Sequence, residues 1–113
     1  MHEISLMEQT LALALDYAQQ HHASRIHRFK LRVGELSGVV PEALAFAFET
    51  VIQGTIAEGA QLEIKTVAVT CHCPRCQQAF QPKTWVYDCP NCGEISTQVI
   101  DGRQMELTSL EIS

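Results

Sequence analysis

Arg28-Phe29-Lys30-Leu31-Arg32-Val33 alternates cation and hydrocarbon for six residues and then breaks at Gly34. Side chains on a strand point to opposite faces in turn, so this stretch predicts a half-buried strand with a basic outer face. Its apolar face needs a cover, and the flanking sequence supplies one on each side. Upstream, Ile4, Met7, Leu11, Leu15 and Ala18 recur at three- and four-residue spacing, the stripe of an amphipathic helix over roughly residues 4–21. Ser5 and Glu8 have the spacing of a capping box at its start, and His21-His22 suit a solvated helix end, where the dipole favours cations. Downstream, Gly34 and Gly38 break the strand and Pro41 fits the first turn of a second helix. Leu44, Phe48, Val51 and Ile52 form that helix's apolar face, Ala43, Ala45 and Ala47 permit close packing, and Gly54 ends it. Leu62 and Ile64 open a second strand whose phase slips near Val67 and Val69, as at a bulge. Met105, Leu107, Leu110 and Ile112 make a last strand with a similar slip. The expected fold is α+β: a small two-helix, three-stranded sheet domain over 1–70 plus 98–113, with a zinc-ribbon-like four-cysteine module inserted at 71–97.

The composition narrows the class of function. A chain of 113 residues forms one domain, or one with a small stapled module, and leaves little room for an elaborate catalytic cleft. Thirteen acidic residues against eight basic give a net charge of −5, which disfavours nonspecific nucleic-acid binding. From Cys71 to Ser113 three Lys/Arg face five Asp/Glu, so a nucleic-acid-binding ribbon lacks its electrostatic footprint. No stretch approaches the ~20 apolar residues of a membrane span. Glu3 and Glu8 bracket the first apolar residues and no cationic segment precedes them, so no signal peptide is expected.

Four of the five cysteines fall into two pairs, Cys73-Pro74-Arg75-Cys76 and Cys89-Pro90-Asn91-Cys92, with twelve residues between them. Two such knuckles supply four thiolates from tight turns, the donor set of a tetrahedral site for zinc or a single iron. Colour separates these two: an iron-loaded, rubredoxin-like protein is red and a zinc protein colourless. A closed four-thiolate site offers no open position to a substrate, so the metal is expected to be structural, contributing on the order of 10 kcal/mol or more to folding. Without signs of export the pattern reads as a metal site in a reducing cytosol rather than two disulfides. Gly93 permits a positive φ as the chain leaves the second knuckle. Cys71 does not repeat the knuckle spacing and reads as a spare thiol at the junction, with replacement of Cys73 by Cys71 or by His72 as the alternatives.

The chain begins Met1-His2-Glu3. The Met1 amine, the His2 amide nitrogen and the His2 ring can close adjacent chelate rings about one metal. The Glu3 amide or a carboxylate oxygen completes a square plane, a geometry that suits Ni(II) or Cu(II). Binding displaces protons, so affinity should rise with pH. Residues 1–3 are expected to precede the first helix without anchors of their own, which suits handing a metal on. A lone surface histidine is the plain alternative.

Met1-His2-Glu3, Val33-Gly34-Glu35-Leu36-Ser37-Gly38, Phe46-Ala47-Phe48-Glu49, the two knuckles and the closing Leu107-Thr108-Ser109-Leu110-Glu111-Ile112 together resemble the HypA/HybF family over essentially the whole chain. The resemblance implies a cytoplasmic nickel metallochaperone for maturation of nickel–iron hydrogenase, not an enzyme. It further implies His2 as the essential nickel ligand beside Glu3, structural zinc on Cys73, Cys76, Cys89 and Cys92, a HypB-type GTPase as partner and the hydrogenase large subunit as recipient. A monomer is expected, with exchange of the last strand as the route to a swapped dimer.

Overall fold

The computed structural model describes residues 2–96 and 98–113. Helix α1 (His2–Gln20) leads into β1 (Ile26–Gly34), α2 (Pro41–Val51) and β2 (Gln61–Val67). Short strands β3 (Thr70–Cys73), β4 (Gln78–Phe80) and β5 (Gln98–Asp101) follow, and β6 (Met105–Ile112) closes the chain. There are two three-stranded sheets, ordered β2-β1-β6 and β4-β3-β5. Strand β1 is the centre of the first, parallel to β2 and antiparallel to β6. Parallel neighbours need a crossover, and α2 provides it.

The expected alternation of β1 holds. Phe29, Leu31 and Val33 are buried under the helices with Met7, Leu11, Ala14, Ala18, Leu44, Phe48 and Ile52. Phe48 meets Phe29 edge to face, ring centroids 5.1 Å apart, which locks α2 to the sheet. On the other face Arg28 pairs with Glu63 and Glu111, Lys30 with Glu63, and Arg32 with Asp101 and Glu106, at 3.4–3.9 Å. The basic stripe of the sequence is therefore a ladder of ion pairs with carboxylates from both neighbouring strands and from the end of β5.

The structure also departs from several expectations. Helix α1 starts at His2 rather than near residue 4, so Ser5 and Glu8 lie inside it and form no capping box. The buried stripe of α1 runs Met7, Leu11, Ala14 and Ala18, with Leu15 half-buried and Ile4 exposed. The slip in the last strand is real: β1 steps from Lys30↔Ser109 to Leu31↔Leu107, leaving Thr108 bulged with its hydroxyl on the Lys30 carbonyl at 3.1 Å. The slip at Val67 is the end of β2 itself. Helix α1 ends as the histidine pair implied: His22 takes a positive φ of 55°, Ala23 N–H donates to Ala18 O at 2.8 Å, and both histidines are exposed.

The two lobes meet at a neck formed by the chain entering and leaving the cysteine sheet, and residues 34–37 grip both strands of it. Glu35 N–H donates to Val67 O (2.9 Å), the Glu35 carboxylate accepts from Val69 N–H (2.9 Å), Leu36 N–H donates to Gly102 O (2.7 Å) and Gly34 N–H to Gln104 O (2.8 Å). A Cβ on Gly34 would lie 2.1 Å from Gly102 O, so this position requires glycine for space rather than for φ. The radius of gyration is 17.5 Å, against about 13 Å for a single compact globule of this length. The cysteine module therefore projects from the α+β lobe. Hydrogen bonding of its sheet runs from Thr70 to Asp101, since β5 pairs with β3.

Candidate metal centre

Cysteines 73, 76, 89 and 92 bring their sulfurs within 4.8 Å of one another, and all five cysteines of the chain are free thiols. The two knuckles repeat each other. In the first, Gln77 N–H donates to Cys73 O at 2.8 Å with Gln77 at φ 56°; in the second, Gly93 N–H donates to Cys89 O at 2.8 Å with Gly93 at φ 78°. Each turn thus folds its second cysteine back toward the first, and a positive φ four residues after the first cysteine turns the chain away. Backbone amides point at sulfur inside each knuckle: Cys76 N–H to Cys73 Sγ (3.4 Å) and Asn91 N–H to Cys89 Sγ (3.4 Å). Across the knuckles, Cys73 Sγ lies 3.6 Å from Cys92 Sγ, and Cys76 Sγ 3.9 Å from Cys89 Sγ. Four sulfurs about 2.3 Å from a central zinc form a tetrahedron of edge ~3.8 Å, so these separations fit an ion at the centre.

The acidities of these thiols point the same way. Amide donors from Cys92 and Asn91 lower Cys89 to about 7. Glu94 N–H also favours the Cys92 thiolate, but burial and the adjoining sulfurs of Cys76, Cys73 and Cys89 outweigh it and push Cys92 up to about 12. Thiolates this close repel one another, and a divalent cation removes that repulsion.

Cys71 takes no part in the cluster. It is fully buried on β3, opposite Phe80 on one side and Val99 on the other. Burial raises its thiol above the ordinary value against the pull of Arg103, so it behaves as a small core side chain. His72 is also outside the cluster, and its carbonyl accepts from Ser96 Oγ at 2.6 Å. Sequence reasoning missed Asn91 as a participant: its side-chain amide donates to Cys76 Sγ at 3.3 Å and so ties one knuckle to the other. Its place within the second C-x-x-C was the available signal.

Of the residues expected to hold nickel, Met1 lies outside the described residues. His2 and Glu3 share the first turn of α1, His2 exposed and Glu3 half-buried. They are anchored in the helix, contrary to the unanchored tail expected from the sequence. The Glu3 carboxylate accepts from Val40 N–H, the residue preceding α2, at 3.3 Å. Its own amide and that of Val40 hold its carboxyl below the usual range. Glu3 therefore links the N-termini of the two helices.

Taken together, the fold and the site define a two-lobed metal-binding protein, a helix-backed sheet carrying a projecting four-thiol module. The family described as hydrogenase/urease nickel incorporation, metallochaperone, hypA matches residues 1–112, and the chain belongs to it. A hydrogenase maturation factor HypA from Picosynechococcus sp. is 47% identical over 112 residues, covering 99% of both chains. That of Dechloromonas aromatica is 42% identical over 113 residues, again covering 99% of both. Among solved structures, a HypA protein in solution superposes with a TM-score of 0.73 at 31% identity over 100% of this chain and 97% of that one. The nickel metallochaperone HypA of Helicobacter pylori gives 0.69 at 28% identity over 97% and 96%. The chain thus belongs by family to the metallochaperones of hydrogenase maturation, and no described helix is long and apolar enough to cross a membrane.

Proposed function

We infer that the chain takes up Ni(II) at Met1, His2 and Glu3 and delivers it to the large subunit of a nickel–iron hydrogenase in the cytoplasm, with a HypB-type GTPase as its partner. The observation that carries this reading is the start of α1 at His2. The first amides of a helix have no intrahelical acceptor, so those of His2 and Glu3 can lose their protons to a metal without breaking the helix ladder. The Met1 amine, these two amide nitrogens and the exposed His2 imidazole make a nitrogen-rich plane suited to Ni(II). Glu3 serves through its backbone nitrogen, while its carboxylate keeps the turn in place against Val40. Cys73, Cys76, Cys89 and Cys92 hold Zn(II), which supplies charge neutralisation and a rigid module without entering the nickel exchange.

Calorimetry on native-terminus protein tests the reading. His2→Ala should abolish tight Ni(II) binding while one colourless metal per chain and the circular dichroism of the folded state persist. Nickel binding by His2→Ala as tight as by the native chain refutes the terminal site, and a red protein refutes zinc.

A further inference from the structure

Strand β6 is an outer strand of its sheet, paired with β1 on one side and with no strand among the described residues on the other. Helix α1 overhangs that open edge. Leu13, Asp16, Tyr17 and Gln20, spaced as one face of a helix, form one wall of a groove of about 520 Å³, and Leu107–Leu110 form the other. Leu13 is 66% and Tyr17 46% exposed although both are large and apolar, because the sheet ends before it passes beneath them. The vacant track beside β6 is where a fourth strand would run, pairing with the open backbone edge and covering both side chains.

We propose that this track receives an extended segment of a partner protein, apolar at alternate positions and basic where it passes Asp16. Pairing with an exposed sheet edge is an established way of binding peptides, with the backbone supplying affinity and the alternate side chains selectivity. The charge pattern chooses the occupant. Glu106 and Glu111 are already paired with Arg32 and Arg28 on the far face, but Asp16 has no ion-pair partner among the described residues and only Gln20 Nε2 as a donor. A second copy of this chain fits poorly. Antiparallel β6 strands paired about their middle would set Glu106 opposite the other chain's Glu111 and bring two Asp16 carboxylates into one groove. The bulge at Thr108 further twists this edge away from self-pairing.

The test uses the zinc-loaded, nickel-free full chain and an end-blocked peptide, Val-Thr-Val-Thr-Lys-Thr-Val-Thr, with a second peptide carrying glutamate in place of lysine. Amide spectra should show the lysine peptide shifting resonances of residues 105–112 and 13–20 and slowing hydrogen exchange in β6. The lysine peptide should bind about three- to tenfold tighter than the glutamate one, and Asp16→Lys should reverse that order. The proposal is overturned by shifts centred elsewhere, by none at about 1 mM peptide, by an unchanged order in Asp16→Lys, or by β6 shifts that follow protein concentration without peptide, which would make the occupant a second copy.

Discussion

Two glycines four residues apart in one turn provide a discriminating test of how the lobes are joined. Gly34 has no positive φ, yet a Cβ there would lie 2.1 Å from Gly102 O and 2.3 Å from Gly102 C. Gly38 has φ 78° and open space around the same position. Ordinary contact begins near 3.4 Å, so Gly34→Ala must separate two backbones by more than an ångström. That displacement stretches the Leu36–Gly102 and Gly34–Gln104 hydrogen bonds, 2.7 and 2.8 Å long. Overpacking against backbone costs ~2 kcal/mol and weakening two such bonds ~1 kcal/mol more, about 3 kcal/mol in all. Gly38→Ala carries only the left-handed penalty, ~1 kcal/mol. Midpoints of urea unfolding at saturating zinc, taken with unchanged slopes, measure both. The melting temperature should fall by roughly 12 °C for Gly34→Ala and roughly 4 °C for Gly38→Ala. If the two variants fall within ~1 kcal/mol of each other, the close approach at the neck is not what requires glycine at residue 34.

Two further outcomes follow from the thiols and from Glu3. Cys71→Ser should retain one zinc per chain yet lose ~1–3 kcal/mol, since a hydroxyl replaces a buried thiol between Phe80 and Val99; zinc loss in that variant would make Cys71 a ligand. In the native protein Cys71 should alkylate at least about tenfold slower than an exposed cysteine, which mass spectrometry of the zinc-loaded chain reads directly. The Glu3 carboxyl is lowered in the folded state, so its contribution is complete above its ordinary value of 4.5 and is lost as pH falls through the lowered folded value. Glu3→Gln should therefore melt below the native chain at neutral pH and approach it in acid, and a gap that stays constant with pH would refute the Val40 link.

How much of this was legible beforehand depended on the range of the forces involved. The strand at Arg28–Val33 and both helices could be read from side-chain periodicity, because burial on one face leaves its mark on neighbouring residues. The bulge could be read too, since a slip at Thr108 moves Leu110 and Ile112 out of step with Leu107. Strands β3, β4 and β5, only three or four residues long, could not. Their pairing follows from knuckle geometry and from Cys71 packing between strands, which no alternation announces. The four metal-binding thiols were legible because coordination demands a spacing. Asn91 supports them through a side-chain amide and Gln77 through a backbone conformation, and neither is fixed by the cysteine spacing itself. The start of α1 was not legible, because Ile4 matches the spacing of the apolar stripe, whereas the structure leaves it exposed and begins the helix two residues earlier. Glu3 holding Val40 joins residues 37 apart and leaves no local trace.

The order of strands in the first sheet also bears on how the chain reaches its native state. Strand β1 can pair with β2 as soon as α2 has formed, but β6 arrives only after the 37 intervening residues, 68 to 104, have been synthesised and traversed. Closing a flexible loop of that length and closing one of about six residues differ by ~1.6 kcal/mol in chain entropy. Once the metal has drawn the knuckles together and β3 has met β5, only the short neck segments remain to be closed. Completion of the sheet should then be roughly fifteenfold faster with the ion than without it. The cysteine knuckles, once they hold their metal, are therefore a folding clasp for a sheet they never touch, and chains folding without the ion should keep their last strand unpaired for longer.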